Sequence, residues 1–330
     1  MKFINYDSKY QKQIYDLYCD FREEDDFYKI LTFEQFSKNL FENPEFDNEG
    51  NFICLNDEDK VIGFGGAIIR KLDDNNPKSS GYIHTFIVKK EYRRQGIGSK
   101  LLELCENYIK GKGKASARLV FLSPINWAWY IPHTDHHEHP GTPAIRINSE
   151  FYIFLYHHGY FVNSIHEGFH LPLSEYELPE KVVQKMEENK KRGLFVEVYD
   201  PKKHYGVEEF CKKIEAGGND AFARAIRSNL SKDKPNPFLC ANENGRMVGW
   251  TGAMWNEECG RGHFDGIIVD EDIRGAGLGK ALFCYLCYQS KLNGAQYMTF
   301  FTGLDNPARY IYLGAGFKIA QSFADMKKNF

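Results

Sequence analysis

Val88-Lys-Lys-Glu-Tyr-Arg-Arg-Gln-Gly-Ile-Gly98 has a counterpart 181 positions later, Val269-Asp-Glu-Asp-Ile-Arg-Gly-Ala-Gly-Leu-Gly279. In both stretches Arg-x-x-Gly-x-Gly follows a valine that ends a predicted strand and opens a helix with leucines at helical spacing. Glycines in such a turn let successive backbone N–H groups converge on an anion, and the helix N-terminus adds a partial positive charge. The pattern therefore predicts two phosphate- or pyrophosphate-binding loops.

The repeat extends beyond the glycine motif. Phe52-Ile-Cys-Leu-Asn56 matches Phe238-Leu-Cys-Ala-Asn242, and the stretch at 60–67 matches the stretch at 246–253, both at an offset of 186. Offsets that differ by only a few residues indicate a duplication with small changes in loop length. A chain of 330 residues is also long enough for two domains.

Each copy predicts the same order of elements. A short strand (residues 2–6 or 194–199) leads to an amphipathic helix, and two strands around a polar turn follow. A further strand (82–88 or 263–269) runs into the glycine motif and its helix, and a strand, a helix and terminal strands complete the copy. This order predicts the α+β class, with a mixed α/β sheet in each of two tandem domains.

The predicted domains are residues 1–177 and 194–330. Between them, residues 178–193 predict a polar connecting helix that Pro179 opens and Gly193 closes. Proline is favoured in the first turn of a helix and glycine just past its end, which fixes both limits of this segment.

Charge and composition exclude several classes of function. The net charge of −3 gives no general electrostatic attraction to nucleic acid, and no apolar run approaches the roughly 20 residues that span a bilayer. The N-terminus lacks the layout of a signal peptide, and the eight cysteines are scattered among apolar neighbours. We therefore expect a cytoplasmic protein that binds neither nucleic acid nor membrane.

The motif Val-x4-Arg-x-x-Gly-x-Gly-x-x-Leu resembles the acetyl-CoA signature of the GCN5-related N-acetyltransferases. The stretch Asn306-Pro-Ala-Arg-Tyr-Ile-Tyr-Leu-Gly-Ala-Gly-Phe317 resembles a second hallmark of that family, a helix with a tyrosine four residues before Gly-Phe. The resemblance implies acetyl-CoA as co-substrate, with its pyrophosphate on the glycine loop. Its pantetheine arm would pair with the backbone of the preceding strand, at 86–88 or 267–269.

The residues expected to bind the cofactor by this resemblance fall in both copies. In the C-terminal copy they are Ile267, Val269, Arg274, Gly275, Gly277, Gly279, Lys280 and Asn306. In the N-terminal copy they are Phe86, Val88, Arg93, Arg94, Gly96, Gly98 and Ser99.

Acetyl transfer to an amine needs a group that takes the proton of the ammonium and an acid for the departing thiolate. By resemblance Tyr312, four residues before Gly316, is the acid, whereas the matching position of the first copy is Leu155. Strand alternation predicts that His263 and Asp265 share one face of the strand before the glycine motif. Related transferases carry their base on this strand, so Asp265 and His263 are the candidates, and the C-terminal copy is the expected catalyst.

The first copy carries an insertion around residues 123–147. Gly98 and Gly159 are 61 positions apart and Gly279 and Gly316 only 37, a difference of 24 residues. The insertion holds two tryptophans and a histidine-rich run from His133 to His139, which favours a lid or wall of a substrate pocket. Zinc binding is the alternative, but no H-x3-H pair on a helix is evident in this run. We therefore expect a solvated loop that contacts the other domain, and no metal.

Three hypotheses remain from the sequence. The first is an acetyl-CoA-dependent N-acetyltransferase that acts by direct attack on a primary amine of a small molecule or peptide. The second is a non-catalytic acyl-CoA-binding or regulatory protein, since the cofactor motif is clearer than the base. The third is a metal-dependent enzyme built on the histidine-rich run.

Overall fold

The computed structural model describes residues 1–120 and 125–330 and divides into two compact units. Unit 1 comprises Met1–Glu167 with Gln321–Phe330, and unit 2 comprises Gly168–Ala320. The domain limits expected from the sequence repeat, 1–177 and 194–330, stay a prediction because compact units and sequence repeats need not share their ends.

The helices and strands follow the predicted order in each half. The α-helices are α1 (Gln11–Glu24), α2 (Phe33–Asn39), α3 (Ile97–Gly111), α4 (Glu150–His157), α5 (Glu180–Lys190), α6 (Val207–Ala216), α7 (Asp220–Leu230), α8 (Leu278–Leu292) and α9 (Arg309–Gly314). The strands of the first half are β1 (Lys2–Asn5), β2 (Asn51–Leu55), β3 (Val61–Ile68), β4 (Gly81–Val88), β5 (Ser116–Leu119), β6 (Trp129–Tyr130), β7 (Glu138–His139), β8 (Ile145–Arg146) and β9 (Phe161–Pro172). Those of the second half are β10 (Leu194–Val198), β11 (Phe238–Glu243), β12 (Arg246–Ala253), β13 (Arg261–Gly262), β14 (Ile267–Val269), β15 (Tyr297–Gly303) and β16 (Lys318–Asn329).

Unit 1 contains a mixed sheet. β1, β2, β3 and β4 pair antiparallel in that order, and β4 pairs in parallel with β5. The last residues of the chain then pair antiparallel with β5, with Met326 opposite Leu119. Leu101, Leu102 and Cys105 of α3 are buried in the same core, so the helix that follows the glycine motif covers this sheet.

Unit 2 has the corresponding strands in two sheets. β10, β11, β12 and β14 form an antiparallel sheet, and β13 pairs in parallel with β15 in another sheet. Leu278, Leu282 and Leu286 of α8 are buried in the core of this unit. The predicted mixed α/β class is therefore confirmed, but the strands of the second half do not form one continuous sheet.

Two predictions about local structure are wrong. Of the strand expected at 263–269 only β14 (Ile267–Val269) forms, and residues 263–266 lie between it and β13; within this break Gly266 has a φ of +139°, which only glycine adopts readily. The single helix expected after the first strand of each copy is a pair of helices, with α2 and α7 as the additional members. The segment predicted to connect the two domains does form a helix, α5, which Pro179 precedes and which lies within unit 2; its connecting role stays a prediction.

The strand expected at 118–122 falls partly outside the described residues, and β5 covers its described beginning. Within residues 1–120 and 125–330, no helix is both long and apolar enough to cross a membrane.

The C-terminal strand is fixed in unit 1 by a buried carboxylate. Asp325 is fully buried and accepts bonds from the Nε and Nη2 atoms of Arg118, at 3.0 and 2.6 Å. The amide of Asn163 and the hydroxyl of Ser164 donate to its Oδ2 atom at 2.7 and 3.1 Å. A buried carboxylate in such a network holds the register of β16 against its neighbours, because a shift in register would leave the buried charge without its hydrogen-bond partners.

We expect Asp325→Ala to lower the free energy of unfolding by about 3–5 kcal/mol, because the change leaves the guanidinium of Arg118 without its partner. Asp57→Ala is the matched control, since Asp57 also forms an ion pair but its side chain is 95% exposed. Its loss should stay below about 1 kcal/mol. Urea denaturation followed by circular dichroism measures both, and equal losses would contradict a structural role for Asp325.

Candidate functional site

The two glycine loops have the backbone shape of an anion site. Gly277 precedes α8 with a φ of +75°, and Gly96 precedes α3 with a φ of +82°. No side chain caps either helix start in the described residues, so the first-turn N–H groups are available to a ligand. Uncapped N–H groups and the helix dipole together favour phosphate, so both loops fit the pyrophosphate of coenzyme A.

The two loops differ at a second left-handed position. Gly275 has a φ of +87°, whereas its counterpart in the first copy, Arg94, has a φ of +62°. A residue with a Cβ atom is disfavoured there by about 1–2 kcal/mol, so the second loop reaches the same shape without that strain.

The cationic side chains of the loops are engaged to different degrees. Arg93 donates through Nε to the carbonyl of Val88 at 2.9 Å and so closes the turn between β4 and α3. The backbone N–H of Arg274 donates to the carbonyl of Glu271, but its exposed side chain makes no hydrogen bond or ion pair to any residue that the structure describes. The second loop therefore offers a free guanidinium to an incoming phosphate.

Other residues predicted to bind the cofactor have local partners. The hydroxyl of Ser99 lies 2.9 Å from Nε2 of His158. Asn306 accepts from the N–H of Ala308 at 3.0 Å and so forms an Asx turn just before α9. Lys280 is exposed at the start of α8.

In unit 2 two parallel strands pair only briefly and then separate, and the described pairing of the corresponding strands in unit 1 is equally short. The described register of β4 with β5 ends at Tyr82 opposite Arg118, and that of β13 with β15 ends at Gly262 opposite Met298. Beyond these points one edge of β4 and of β14 lacks a described strand partner. The separated edges carry residues 86–88 and 267–269, where the pantetheine arm is predicted to pair.

A pocket of about 250 Å³ lies in unit 2 beside these separated strands. It includes His263 and Asp265, and Trp255 at its rim is 42% exposed. Its remaining lining residues are Ala225, Ser228, Asn229, Lys232, Asn236, Trp250 and Ala253. The structure thus confirms that His263 and Asp265 lie together, although the strand that was expected to carry them is interrupted.

The helix α7 supplies the pocket residues that the sequence analysis missed. Ala225, Ser228 and Asn229 lie at helical spacing on one face of α7, and Lys232 follows just after the helix ends. The apolar spacing of Ala223 and Ile226 signals the helix itself, but nothing in the sequence shows which cavity its polar face lines.

The side chains of His263 and Asp265 form a close pair. Nε2 of His263 lies 2.5 Å from Oδ1 of Asp265, its Nδ1 lies 3.5 Å from Oε1 of Glu257, and its ring stacks on Trp255. Burial lowers the pKa of His263, but the hydrogen bonds to Asp265 and Glu257 outweigh it and raise the pKa to about 9. The imidazole is therefore protonated at neutral pH.

Glu257 anchors this cluster to the sheet. Burial raises its pKa, but the hydrogen bonds from His263 and Arg261 lower the pKa to about 2. Arg261 is buried, pairs with Glu257 and donates to the carbonyl of Thr299 at 3.1 Å. Glu257 is thus a carboxylate at any physiological pH and holds His263 in its charged form.

Tyr312 occupies the position expected for the acid. Its side chain is 5% exposed and packs among the rings of Phe264, Phe283 and Phe300, with centroid distances of 6.0, 4.8 and 4.6 Å. Its hydroxyl has no hydrogen-bond partner among the described residues, and burial raises the pKa of the phenol to about 12. A neutral phenol without a partner is able to donate a proton to a ligand atom.

The equivalent positions of the first copy are filled by apolar groups. Leu155, the counterpart of Tyr312, is buried. Phe86 stacks on Phe151 at 5.1 Å and contacts Phe154 at 5.8 Å, where the second copy has Ile267, Ala308 and Ile311. Three phenyl rings therefore occupy the face of β4 that is predicted to meet the pantetheine arm.

The polar pair is also absent from the first copy. His84 stands where the second copy has Asp265, and burial lowers its pKa to about 3, so this imidazole is neutral. A neutral histidine beside Thr85, 2.9 Å away, replaces the charged cluster.

The insertion of the first copy is a packed wall. Trp127 stacks between Tyr18 of α1 and Phe36 of α2 at 5.5 Å from each, and Trp129 stacks on Phe27 at 5.0 Å. Glu138 pairs with Lys29 at 2.7 Å. In the described part of the insertion the tryptophans thus fill space beside α1 and α2, in the region where α7 borders the pocket of the second copy.

The histidine-rich run does not assemble a recognisable metal site. His139 is buried against Trp129, whereas His136 is exposed. Among residues 1–120 and 125–330, no three His, Cys, Asp or Glu side chains converge in a way that would hold a metal ion.

Solved structures with the same fold include a tandem protein. The chain is 14% identical to a "GCN5-related glucosamine N-acetyltransferase region" of a fungal multi-domain β-N-acetylglucosaminidase, with a TM-score of 0.67 over 99% of this chain and 38% of that one. It is 14% identical to a GCN5-related N-acetyltransferase from Sphaerobacter thermophilus (TM-score 0.55, covering 99% and 95%). It is 13% identical to a tandem GNAT protein from the clavulanic acid biosynthesis pathway (TM-score 0.54, covering 99% and 98%).

These structures share the fold, and the first of them is a much longer protein, of which this chain spans 38%. The sequence itself matches the family model described as "Acetyltransferase (GNAT) family" twice, over residues 12–130 and 204–317. The two matches together cover more than half of the chain, once in each half. The protein therefore belongs to the GNAT acetyltransferase family and carries two of its domains in tandem.

Proposed function

We propose that this protein is an acetyl-CoA-dependent N-acetyltransferase whose C-terminal copy transfers the acetyl group to a primary amine of a small molecule or peptide. The observation that carries the proposal is the placement of Tyr312 and of the His263–Asp265 pair around one short segment of unit 2. Family membership supports the use of acyl-CoA, and the free Arg274 with the uncapped start of α8 supports its binding in this copy.

The short segment from His263 to Asp265 lies between Tyr312 and the pocket. Phe264 packs its ring on the side of Tyr312, while His263 and Asp265 line the pocket on the other side. The strands separate at Gly262, immediately before this segment. In this proposal the thioester of acetyl-CoA would lie beside this segment, between Tyr312 and the His263–Asp265 pair.

Each side chain has a defined task in this proposal. Bound acetyl-CoA would supply the thioester carbonyl that the amine attacks directly. Asp265 attracts the ammonium of the acceptor and takes its proton, because His263 already holds one at neutral pH. His263 orients the Asp265 carboxylate, and Tyr312 donates its phenolic proton to the departing thiolate.

The first copy supports the second rather than acting alone in this proposal. It lacks the tyrosine, its β4 face carries the three stacked phenylalanine rings, and tryptophans of the insertion pack against α1 and α2. Its glycine loop nevertheless keeps the shape of an anion site.

The eight cysteines are all unpaired, which supports the predicted cytoplasmic location.

The experiment that tests the proposal is release of free thiol from acetyl-CoA in the presence of a panel of amines. Amino sugars belong in that panel because one similar structure is named for glucosamine acetylation. Amine-dependent thiol release supports the proposal. Binding of acetyl-CoA without turnover of any amine would instead favour a non-catalytic acyl-CoA-binding or regulatory protein.

We expect Tyr312→Phe to lower kcat by about 10²-fold, because the thiolate then departs without an acid in place. The Kd for acetyl-CoA should change little, since the phenyl ring and its packing remain. Tyr310→Phe is the matched control, because Tyr310 lies on the same helix with its side chain 69% exposed. Steady-state kinetics separate the two, and equal rates in both variants would contradict the role of Tyr312.

We expect Asp265→Asn to lower kcat/KM for the amine by about 10²–10⁴-fold, since the amide neither attracts the ammonium nor takes its proton. Glu258→Gln removes a nearby exposed carboxylate and should leave the rate within about twofold of wild type. An Asp265→Asn variant that keeps the wild-type kcat/KM would show that the proton leaves by another route.

The charge of His263 should appear in a pH titration. Its pKa in the folded protein is about 9, above the ordinary 6.5, so its protonation stabilises the fold below pH 6.5 and this contribution is lost as the pH rises through 9. NMR titration of its ring protons should give a midpoint near 9 in wild type and a lower one in Glu257→Gln. Glu258→Gln should leave the midpoint in place, and an unchanged midpoint in Glu257→Gln would contradict the role of that carboxylate.

A further inference from the structure

The connecting helix α5 packs against the glycine loop of the second copy. The side-chain amide of Asn189 donates to the carbonyl of Ala276 at 2.9 Å, and Asn189 is only 1% exposed. Ala276 is the residue between the two left-handed glycines of the loop, Gly275 and Gly277. A buried side chain outside the motif thus holds the backbone at the centre of the motif.

This contact sets the direction of an N–H group in the loop. In a planar trans peptide the carbonyl and the following N–H point in opposite directions. Because the carbonyl of Ala276 points at Asn189, the N–H of Gly277 points away from α5 and toward the open side of the loop. Asn189 is therefore placed to fix an amide that the loop presents to a phosphate.

A lysine one helical turn earlier lies over the same loop. The Cγ and Cε atoms of Lys185 are 3.2 and 3.7 Å from the position that a Cβ atom on Gly277 would take. Its ammonium pairs with Glu188 at 3.0 Å, and both side chains are well exposed. An exposed pair of this kind contributes little stability, so the ammonium is free to exchange Glu188 for a phosphate.

The first copy has no such contact at its loop. A Cβ atom on Gly96, the counterpart of Gly277, would meet no described atom within 4 Å. Gln95, the counterpart of Ala276, is exposed, and its side chain donates back to Glu91. The helix α5 also lies outside both ranges that match the family model, residues 12–130 and 204–317.

We propose that α5 is part of the cofactor site of the second copy, with Asn189 as the positioning residue of the loop and Lys185 as a cation for the phosphates of coenzyme A. This inference rests on the proposed function, which supplies the ligand. It makes the connecting segment a determinant of which copy binds the cofactor. The loop of the second copy is held by Asn189 and is flanked by Lys185 of α5 and by Arg274. It should therefore bind coenzyme A more tightly than the loop of the first copy.

Calorimetric titration of the full chain with coenzyme A, at low and at high salt, tests the inference. Lys185→Met should raise the Kd about tenfold at low salt, and the difference from wild type should shrink at high salt, because salt screens an exposed charge pair. Asn189→Leu should raise the Kd by a similar factor at both salt concentrations, since it disturbs the loop without removing a charge. Lys191→Met, at the exposed end of the same helix, is the control and should bind as wild type does.

The outcomes distinguish this inference from the proposed function. If wild type binds coenzyme A and both Lys185→Met and Asn189→Leu bind it equally well, α5 is not part of the site and the inference is overturned alone. If wild type does not bind coenzyme A, the proposed function fails and the inference falls with it. Where Asn189→Leu does not fold, the salt dependence of Lys185→Met decides, because a purely structural role of this lysine would leave the dependence on salt unchanged.

Discussion

The early separation of two parallel strands is the constraint on which the rest of unit 2 depends. β13 and β15 pair only as far as Gly262 opposite Met298, and the chain then leaves the sheet until β14. Backbone groups left unpaired inside a fold need other partners, so this opening is costly unless a ligand or solvent satisfies it. The opening also lets one short segment, 263–266, present Phe264 to Tyr312 on one side and the His263–Asp265 pair to the pocket on the other.

The two copies share a backbone arrangement but differ in the side chains at their candidate sites. Both keep a left-handed glycine before an uncapped helix, which is the geometry that an anion requires. The second copy leaves Arg274 free beside this loop and surrounds its opening with ionised groups. The first copy places phenylalanine rings and a neutral histidine at the matching positions. Apolar filling stabilises a domain but removes the space and the charge that a reaction needs, so the copies differ most where function is concentrated.

Local patterns in the sequence were sufficient for the repeat, the glycine loops and most helices, because hydrophobic periodicity and left-handed turns are encoded over a few residues. The assignment of Tyr312 came from the resemblance to the GCN5-related family, and strand alternation placed His263 beside Asp265. The break in that strand did not follow from the sequence: a Cβ atom on Gly266 would meet the ring of Phe222, more than 40 positions earlier in the chain. The same holds for Asp325, whose partners Arg118 and Asn163 are remote in sequence, and for the charged state of His263, which Glu257 and Asp265 set in three dimensions. Pairing of distant residues leaves no signal in a single sequence.

The connecting helix shows why a tandem protein differs from two separate copies. In this protein the segment before the first strand of the second copy, β10, joins that copy to the preceding one. Its helix, α5, packs beside the glycine loop of the second copy. A side chain on such a helix is ordered before any ligand arrives, so it can shape the loop at little further cost in entropy. Asn189 and Lys185 both use this position: Asn189 holds a carbonyl of the loop, and the stem of Lys185 lies against Gly277. At the loop of the first copy no described atom comes as close to Gly96, so the tandem arrangement supports the two loops unequally.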